Sequence, residues 1–346
     1  MIRITMFSAA ETVPGQGVGS AYRELVNLLT SRFPDKFQLK FNSLSKTDIS
    51  HYHTINFGFF LNTFLPGRGK KVGYVHFLPE TLEGSINLWW PFKKIFYWYV
   101  MTFYKRMDQI VVVNPVFIDK LVALGVSKEK ITYIPNFVSK DDFFPVPENQ
   151  KVNIRKKLVL PEDTFMILGV GQVQVRKGVL DFIQLAKDNP NWTFVWVGGF
   201  SFGAITAGYE TLKKVVDNPP KNLIFPGIVD RRLMNDYYNA ADVFLLPSYT
   251  ELFPMSALEA FSTGTPTILR DLDLYRAIID GYYLPAVDKD GMQKQLDTLE
   301  ADNDLQKQMA KQSLAASEYY SATHVSKIWD AYYTNQVNDK NDGGHQ

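Results

Sequence analysis

Short apolar runs and amphipathic stretches alternate along the first half of the chain. Strands are predicted around IRITMF at residues 2–7, DISHYHTI at 48–55, KVGYVHF at 71–77, QIVVVN at 109–114 and KITYIPN at 130–136. The amphipathic stretch AYRELVNLLTSRF follows the first of these strands and has the spacing of a helix. Short apolar runs that alternate with helices indicate a parallel sheet buried on both faces.

The same alternation recurs in the second half. Strands are predicted around FMILGVG, WTFVWVGG, NLIFPG, DVFLLPS and TPTILR, with helices such as VLDFIQLAKD, RRLMNDYYNAA and MSALEAFSTG between them. Two doubly wound sheets of this kind place a ligand in the crevice at the carboxyl ends of their strands. The pattern therefore predicts an α/β protein with two Rossmann-like domains that face each other across a cleft.

The boundary between the two halves is marked by VPENQ at residues 146–150, a segment rich in proline and polar residues. We expect one domain over residues 1–147 and a second over 151–319, and the 346-residue length agrees with two domains. A helix at about 320–336 is expected to pack back on the first domain. The polar tail, residues 337–346, is expected to be disordered.

A helix start is predicted within YTELFPMSALEAFSTGTP, residues 249–266. Pro254 suits the first turn of a helix, where its missing N–H is no loss, and Gly264 suits the residue that ends one. The predicted helix runs from about Pro254 to Thr263. Its free N–H groups would face the crevice, and a helix N-terminus attracts phosphate.

Two glutamates stand on either side of this helix start. Glu259 lies in ALEAF, among small and apolar residues, where an unpaired carboxylate is costly. Such a carboxylate needs hydroxyls or cations as partners, and a nucleotide sugar offers hydroxyls at both ends. The alternative is that Glu251 caps the helix and that Glu259 is a solvated surface residue.

Two cations, Arg176 and Lys177, precede a predicted helix in GVGQVQVRKG, residues 169–178. Cations at this end oppose the helix dipole unless an anion lies nearby, so a diphosphate partner would resolve the conflict. The alternative is a solvated basic pair on the surface.

The stretch PSYTELFPMSALEAFSTGTP resembles the donor-site signature of the family-4 retaining glycosyltransferases, which is Pro-Ser, then Glu, seven residues, a second Glu and Gly-x-Pro. The order of elements is similar up to about residue 336. The resemblance implies a GT-B fold and a UDP-sugar donor, with Glu251 on the transferred sugar and Glu259 on the ribose hydroxyls. It also implies that backbone amides of the intervening loop face sugar and phosphate, at Leu252, Phe253 and Met255.

The loop GVGQVQVRKG is similar to a second pattern of the family, Gly-Arg-Leu, three residues, then Lys-Gly. Lys177 and Gly178 match it, but Gln172 stands where the family usually has a phosphate-binding arginine, and Arg176 is a candidate to supply the missing charge. The resemblance implies further donor contacts at Gly17, Gly19, Gly171 and Ile228. For the glycines of GQGVGS, a plain turn is the alternative.

Histidines are few, and one of them ends a predicted strand. His76 in KVGYVHF matches a family histidine near the transferred sugar, so it is an active-site candidate. His51 and His53 alternate, and at most one of them is expected to face the crevice. No acidic residue accompanies them at metal-ligand spacing, and a zinc site is not expected.

Another acidic pattern, Asp-x-Asp in RDLDLYR at residues 270–276, suggests a divalent metal in other transferase folds. The arginines on both sides offer ion-pair partners instead, and the resemblance to GT-B enzymes implies that donor binding requires no metal or other cofactor.

The segment INLWWPFKKIFYWYVMTFYKRMDQ, residues 86–109, is the most aromatic part of the chain, with nine aromatics between Trp89 and Tyr104. Trp and Tyr favour the bilayer interface, and Lys and Arg favour anionic headgroups. The alternative, a core helix, is compatible if only one face packs. The residues expected at a membrane or acceptor are Trp89, Trp90, Lys93, Lys94, Lys105 and Arg106.

Charge is distributed unevenly, although the formal net charge is +1. Residues 1–147 carry 17 Lys and Arg against 11 Asp and Glu, or +6, which leaves −5 for residues 148–346. A basic first half suggests contact with an anionic surface such as a membrane, and random drift is the alternative.

The absence of cysteine excludes disulfides, and neither a signal peptide nor an apolar membrane span is predicted. We expect a cytoplasmic protein bound peripherally to the inner face of the cell membrane, with no nucleic-acid partner.

Within the family, GYVHFLPETLEGS, YKRMDQIVVVNP, VWVGGFSFG and FPGIVDRRLM are most similar to bacterial enzymes that glycosylate diacylglycerol lipids, including those that add a second hexose to α-monoglucosyl-diacylglycerol. This resemblance implies transfer of galactose or glucose with retention. A transferase with a soluble or polysaccharide acceptor would share every donor motif. A non-catalytic nucleotide-sugar-binding protein is a further alternative, supported only by Gln172.

Overall fold

The computed structural model describes residues 1–10, 17–76, 78, 90–201, 203 and 208–342. Within these ranges the chain forms two six-stranded parallel sheets flanked by helices. The predicted α/β class, with two doubly wound domains, is therefore confirmed.

The first sheet is built from residues of the first 133 positions. Its strands are β1 (Ile2–Phe7), β2 (Phe37–Phe41), β3 (Ile49–Tyr52), β4 (Lys70–Val75), β5 (Gln109–Val112) and β6 (Ile131–Tyr133), in the order β2-β1-β3-β4-β5-β6. The helices between them are α1 (Gly17–Arg32), α2 (Phe57–Asn62), α3 (Trp90–Lys105) and α4 (Val116–Ala123). The central strands β3 to β5 are almost wholly buried, as their apolar runs predicted.

The second sheet has the order β12-β11-β10-β7-β8-β9. These strands are β7 (Met166–Val170), β8 (Thr193–Val197), β9 (Leu223–Gly227), β10 (Val243–Leu246), β11 (Thr267–Arg270) and β12 (Leu284–Ala286). The helices from the boundary onward are α5 (Lys151–Lys157), α6 (Val179–Asp188), α7 (Tyr209–Asp217), α8 (Arg231–Ala240), α9 (Met255–Thr263), α10 (Asp273–Arg276), α11 (Lys289–Ala301), α12 (Asn303–Tyr319) and α13 (Ala322–Asp342).

The change from one sheet to the other occurs between β6 and β7. A 3₁₀ turn at Glu148–Gln150 leads into α5, so the polar segment at 146–150 lies between the sheets. The last helix, α13, returns to the first sheet, where Tyr333 Oη and His51 Nδ1 form a hydrogen bond of 2.7 Å. Trp329 and Tyr333 of α13 are fully buried, which anchors the end of the chain on the first domain.

The expected disorder of residues 337–346 is wrong for 337–342, because α13 continues to Asp342. Val337 still packs against the core. The residues that follow are polar but contain no Pro or Gly before Gly343, and a polar composition alone does not end a helix. The remaining tail, 343–346, lies outside the described residues.

Candidate active site

The candidate site lies where the loops after β7 and β10 meet. These strands are neighbours, with Ile167 paired to Val243, yet the chain leaves them toward opposite edges of the sheet. Such a switch in strand order opens a crevice at the carboxyl ends. Both donor motifs found in the sequence are the loops at this point.

An ion pair joins the two loops. Lys177 Nζ donates a hydrogen bond to Glu251 Oε1, and both side chains are largely buried. The backbone N–H of Tyr249 donates to the carbonyl oxygen of Arg176 over 2.8 Å, and Arg176 Nη1 donates to the carbonyl oxygen of Thr250 over 3.3 Å. The structure thus brings together three of the residues predicted for catalysis.

Burial and charge act in opposite directions on this pair. Burial raises the pKa of a carboxyl, but the charges of Lys177 and Arg176 outweigh it and hold the pKa of Glu251 below its usual value. Burial also lowers the pKa of Lys177. Glu251 is therefore a carboxylate at neutral pH, and it depends on two neighbouring cations that a phosphate group would also attract.

Glycines allow the two loops to approach so closely. Gly178 has a φ of +70°, and a Cβ placed on it would lie 2.1 Å from the carbonyl oxygen of Pro247. Gly171 has a φ of +152° and lies beside the side chain of Lys177. A Cβ added to Gly171 would lie 3.7 Å from the Cδ of Lys177. The motif glycines are thus required by backbone geometry at the site.

Helix α9 begins where the sequence predicted. Pro254 is the residue before its first turn, and Gly264 ends it with a φ of +72°. No side chain among the described residues caps the N-terminus of α9. Leu252 and Phe253 lie just before this N-terminus, and Met255 is the first residue of α9. Because no side chain in the described part of the chain caps the helix, its first N–H groups are available to an anion.

Glu259 lies inside α9 and is buried, which excludes the solvated alternative. Tyr238 Oη donates to its Oε2 over 2.8 Å, and Arg231 Nη1 donates to its Oε1 over 3.1 Å. Each carboxylate oxygen has two acceptor sites, so both oxygens retain capacity for ligand hydroxyls.

Two asparagines of the first domain hold the loop before α9 from across the cleft. Asn114 Nδ2 donates to the carbonyl oxygen of Leu252 over 3.1 Å, and Asn136 Nδ2 donates to that of Phe253 over 3.2 Å. Both asparagines are buried. They follow strands β5 and β6, so the carboxyl ends of the two sheets meet at this loop.

The remaining donor candidates lie around the same crevice. Gly17 is the first residue of α1, and the Cγ of Met255 lies 4.0 Å from the position of a Cβ on Gly17. Gly19 is packed against the carbonyl oxygen of Ala10, 3.1 Å from its own added Cβ. Gln172 is buried in the β7 loop, whereas Ile228 follows β9 and is exposed.

His76 follows β4 and is buried at the end of a row of aromatic rings. Its ring centroid is 4.2 Å from that of Tyr74 and 6.0 Å from that of His53, which in turn is 4.1 Å from His51. His51 and His53 therefore lie on one face of the sheet and are both buried, and the expectation that at most one of them faces the crevice stays a prediction. Residues two apart in a strand point to the same face.

Helix α3 has one buried and one exposed face, so it packs as a core helix on one side, and contact of its other side with a membrane stays a prediction. Val100 and Phe103 are buried in the core of the first domain, whereas Trp98 is 69% exposed. No helix in the described ranges is long and apolar enough to cross a bilayer. The exposed apolar residues of α3 and of the neighbouring segment around α2, called here the aromatic face, are Phe57, Leu61, Phe64, Leu65, Phe92, Ile95 and Trp98.

The basic residues of the aromatic segment differ in exposure and in the contacts that they make. Lys94 and Lys105 are exposed on α3. Arg106 is held against the end of α2, since its Nε donates to Thr63 Oγ1 over 2.8 Å and its guanidinium lies 3.5 Å from the centroid of Phe64. Trp89 and the side chains of Trp90 and Lys93 lie outside the described residues.

The Asp-x-Asp stretch is engaged in ion pairs. Arg276 contacts Asp271 at 3.1 Å and Asp273 at 3.4 Å, while Arg270 pairs with Asp181 and donates to the carbonyl oxygen of Pro247 over 2.9 Å. Across the described ranges, no cluster of three or more His, Cys, Asp or Glu is placed to hold a metal ion.

The sequence did not identify Arg231, Tyr238, Asn114, Asn136 or Glu24 as site residues. Arg231 and Tyr238 lie in a helix that was predicted as RRLMNDYYNAA, but periodicity does not show which polar side chain points at a neighbouring helix. The contacts of Arg231 and Tyr238 with Glu259 of α9 join segments that are distant in the sequence, so only the folded structure shows them.

Two family models match the chain. Glycosyltransferase Family 4 matches residues 10–142 and Glycosyl transferases group 1 matches residues 150–315. The chain is 48% identical over 337 residues to the alpha-galactosylglucosyldiacylglycerol synthase of Streptococcus pneumoniae, across 97% of this chain and 90% of that protein.

Solved structures with the same fold are more distant in sequence. Sucrose-phosphate synthase of Thermosynechococcus elongatus has a TM-score of 0.80 at 17% identity, with 98% of this chain and 100% of that chain covered. HepE of Anabaena in complex with UDP-glucose has a TM-score of 0.78 at 13% identity, with 97% and 100% covered. At these identities the similarity establishes the fold.

Proposed function

Because the chain belongs to the family-4 glycosyltransferases with the GT-B fold, we propose that it transfers galactose or glucose from a UDP-sugar to a membrane glycolipid. The proposed acceptor is α-monoglucosyl-diacylglycerol, and the product is a dihexosyl-diacylglycerol. The reaction is expected to proceed with retention, so the new linkage is α.

The observation that carries this proposal is the extent of the 48% identity to the S. pneumoniae synthase. It spans 97% of this chain, so it includes the first domain, on the proposed acceptor side, as well as the donor motifs of the second. Similarity confined to the donor motifs would support only a transferase of unknown acceptor.

The donor is proposed to lie between the ion pair and helix α9. Lys177 and Arg176, together with the α9 N-terminus, would stabilise the negative charge of the diphosphate. Glu251 and His76 would orient the transferred sugar, and Glu259 would accept hydrogen bonds from the ribose hydroxyls. Lys177 is held by Glu251 and Arg176 by the carbonyl oxygen of Thr250, so both side chains are held in place before the phosphate arrives.

In the proposed reaction an acceptor hydroxyl oxygen forms a bond to C1 of the hexose, and the bond from C1 to the diphosphate oxygen breaks. The acceptor proton passes to the departing phosphate oxygen on the same face of the sugar, so the configuration at C1 is retained. Contact between the two domains excludes water, which would otherwise compete as the acceptor.

The lipid acceptor requires a route to a membrane, and we propose that the aromatic face binds it. Aromatic side chains favour the bilayer interface, and exposed Lys94 and Lys105 on the same helix suit anionic headgroups. The proposed location is the cytoplasmic face of the cell membrane, where the protein binds peripherally.

The test offers UDP-galactose and UDP-glucose separately to the purified protein with vesicles of anionic phospholipid that contain α-monoglucosyl-diacylglycerol or plain diacylglycerol. The expected product is a dihexosyl lipid with an α-linkage, identified by mass spectrometry and NMR. E251Q is the inactive control.

Equal turnover of water-soluble glucosides would contradict the lipid assignment and favour a soluble acceptor. UDP binding without release of UDP from any acceptor would instead favour a non-catalytic binding protein.

A further inference from the structure

One arginine joins three carboxylates where the two domains meet. Arg231 Nη1 donates to Glu259 over 3.1 Å, its Nη2 donates to Glu24, and its Nε lies 3.9 Å from Asp142. Glu24 belongs to α1 of the first domain, whereas Arg231 and Glu259 belong to the second. The guanidinium also lies 4.9 Å from the ring centroid of Phe143.

Burial makes this arrangement energetically sensitive. Glu24 is 3% exposed and Glu259 is 5% exposed, so neither carboxylate is compensated by bulk water. Glu24 also accepts a hydrogen bond from the backbone N–H of Ser139 over 3.2 Å. A guanidinium presents a planar set of N–H donors that serves two carboxylates at once, which a lysine ammonium does not reproduce.

We propose that Arg231 is a positioning residue of the donor site: it orients Glu259 for the nucleotide and is itself held by Glu24 of the facing domain. The inference rests on the proposed function, because it takes Glu259 as the group that contacts the ribose. Tyr238 fixes one oxygen of Glu259 and Arg231 fixes the other, so the carboxylate plane is set before the donor binds. Affinity for the nucleotide then depends on contact between the domains.

The charges around Glu24 give this contact a dependence on pH. Burial and the carboxylates of Asp142 and Glu259 raise the pKa of Glu24 to about 7, against the opposing attraction of Arg231 and the Ser139 N–H. Because burial outweighs the attraction of Arg231, the packed state favours protonated Glu24, whose oxygens can still accept the hydrogen bonds from Arg231 and the Ser139 N–H. The contact between the domains therefore weakens as Glu24 ionises with rising pH. A glutamine at this position does not titrate.

The first experiment measures binding of UDP, and of the UDP-hexose that the wild type uses, by calorimetry with the full-length variants R231K and R232K. Arg232 is the matched control, because it is the adjacent residue of α8, is 87% exposed at its side chain and pairs with Asp230 outside the cluster. We expect R231K to weaken binding of UDP about tenfold and to raise KM for the donor by a similar factor, with kcat changed less than about threefold. R232K is expected to remain within about twofold of the wild type.

The second experiment measures binding of the UDP-hexose between pH 6 and pH 8, because UDP itself has a terminal phosphate with a pKa of about 6 and the UDP-hexose has none. Affinity of the wild type is expected to fall by up to about tenfold over this range, and that of E24Q is expected to remain flat. A merely structural role would change the melting temperature but not these profiles.

Wild-type affinity in R231K, or an unchanged pH profile in E24Q, would overturn the inference while the proposed function stands. Failure of the wild type itself to bind UDP would overturn the proposed function instead.

Discussion

Lys177 and Glu251 form a buried ion pair between loops that are separated by 74 residues in the sequence. The pair connects the two halves of the proposed donor site before any ligand binds. Each member satisfies the other, so removal of either leaves a buried charge without its main partner.

K177M is expected to reduce kcat for hexosyl transfer by about a hundredfold to a thousandfold, the scale associated with loss of one group that stabilises developing charge. The measurement is steady-state release of UDP with the lipid acceptor. K187M on α6 is the control, because Lys187 is an exposed lysine of the adjoining helix, and it is expected to be as active as the wild type. An active K177M enzyme would exclude Lys177 from diphosphate stabilisation.

Gly178 is expected to tolerate no side chain. In G178A the new Cβ would collide with the carbonyl oxygen of Pro247, 2.1 Å away, in addition to the strain of a φ of +70°. Strained backbone costs about 1–3 kcal/mol per residue, and the collision adds to this value. Urea unfolding should show a larger loss of stability than in G281A.

Gly281 is the matched control for this prediction. It has a φ of +80°, and no atom lies within 4 Å of an added Cβ, so G281A carries the dihedral strain without the collision. Equal losses of stability in the two variants would show that the approach of the two loops is not what requires glycine.

The parts of the fold that could be predicted from the sequence are those set by local patterns. VLDFIQLAKD became α6 (Val179–Asp188) without a change of bounds, and Pro254 and Gly264 delimited α9. Strand β2 was not predicted, because it is an edge strand in which only Phe37 is buried, and an edge strand has no continuous apolar run. Glu251 and Glu259 could be singled out because they follow a recognisable motif, and their contact with the donor stays a prediction.

The rest of the site depends on contacts between distant segments. Glu24 has the spacing of a polar position on an amphipathic helix, and nothing local indicates that an arginine 207 residues away will bury it. Asn114 and Asn136 end apolar strands, but their partners are backbone carbonyls of the second domain. Such residues are defined by how the domains pack, which hydrophobic periodicity does not encode.

The aromatic face is expected to contribute to binding of lipid vesicles. The double variant I95S/W98S removes two exposed apolar side chains from α3 and is expected to weaken binding to vesicles of anionic phospholipid about tenfold or more, since burial of a large apolar side chain contributes about 1.5–3 kcal/mol. Co-sedimentation with vesicles measures the effect, and UDP affinity should not change.

V287S is the control for the aromatic face, because Val287 follows β12 of the second domain and is 72% exposed. Its vesicle binding is expected to equal that of the wild type. Equal binding by I95S/W98S and the wild type would place the membrane contact elsewhere on the chain.

The three buried histidines predict that acid destabilises the protein. Burial lowers the pKa of His51 to about 3, that of His76 to about 3, and that of His53 well below its usual value. The unfolded chain therefore binds protons below about pH 6.5 that the folded chain does not, so their contribution to stability is present above that pH and is lost as pH falls, by about 2 kcal/mol per histidine at pH 5. Urea unfolding at pH 7.5 and pH 5 measures the loss, and H53F is expected to reduce it by about one histidine's share. H324N, at an exposed histidine, is the control variant. Because each variant is compared with the wild type, opposing contributions to stability from groups such as Glu24 cancel. If H53F lost as much stability between pH 7.5 and pH 5 as the wild type does, His53 would be shown to be protonated in the folded state.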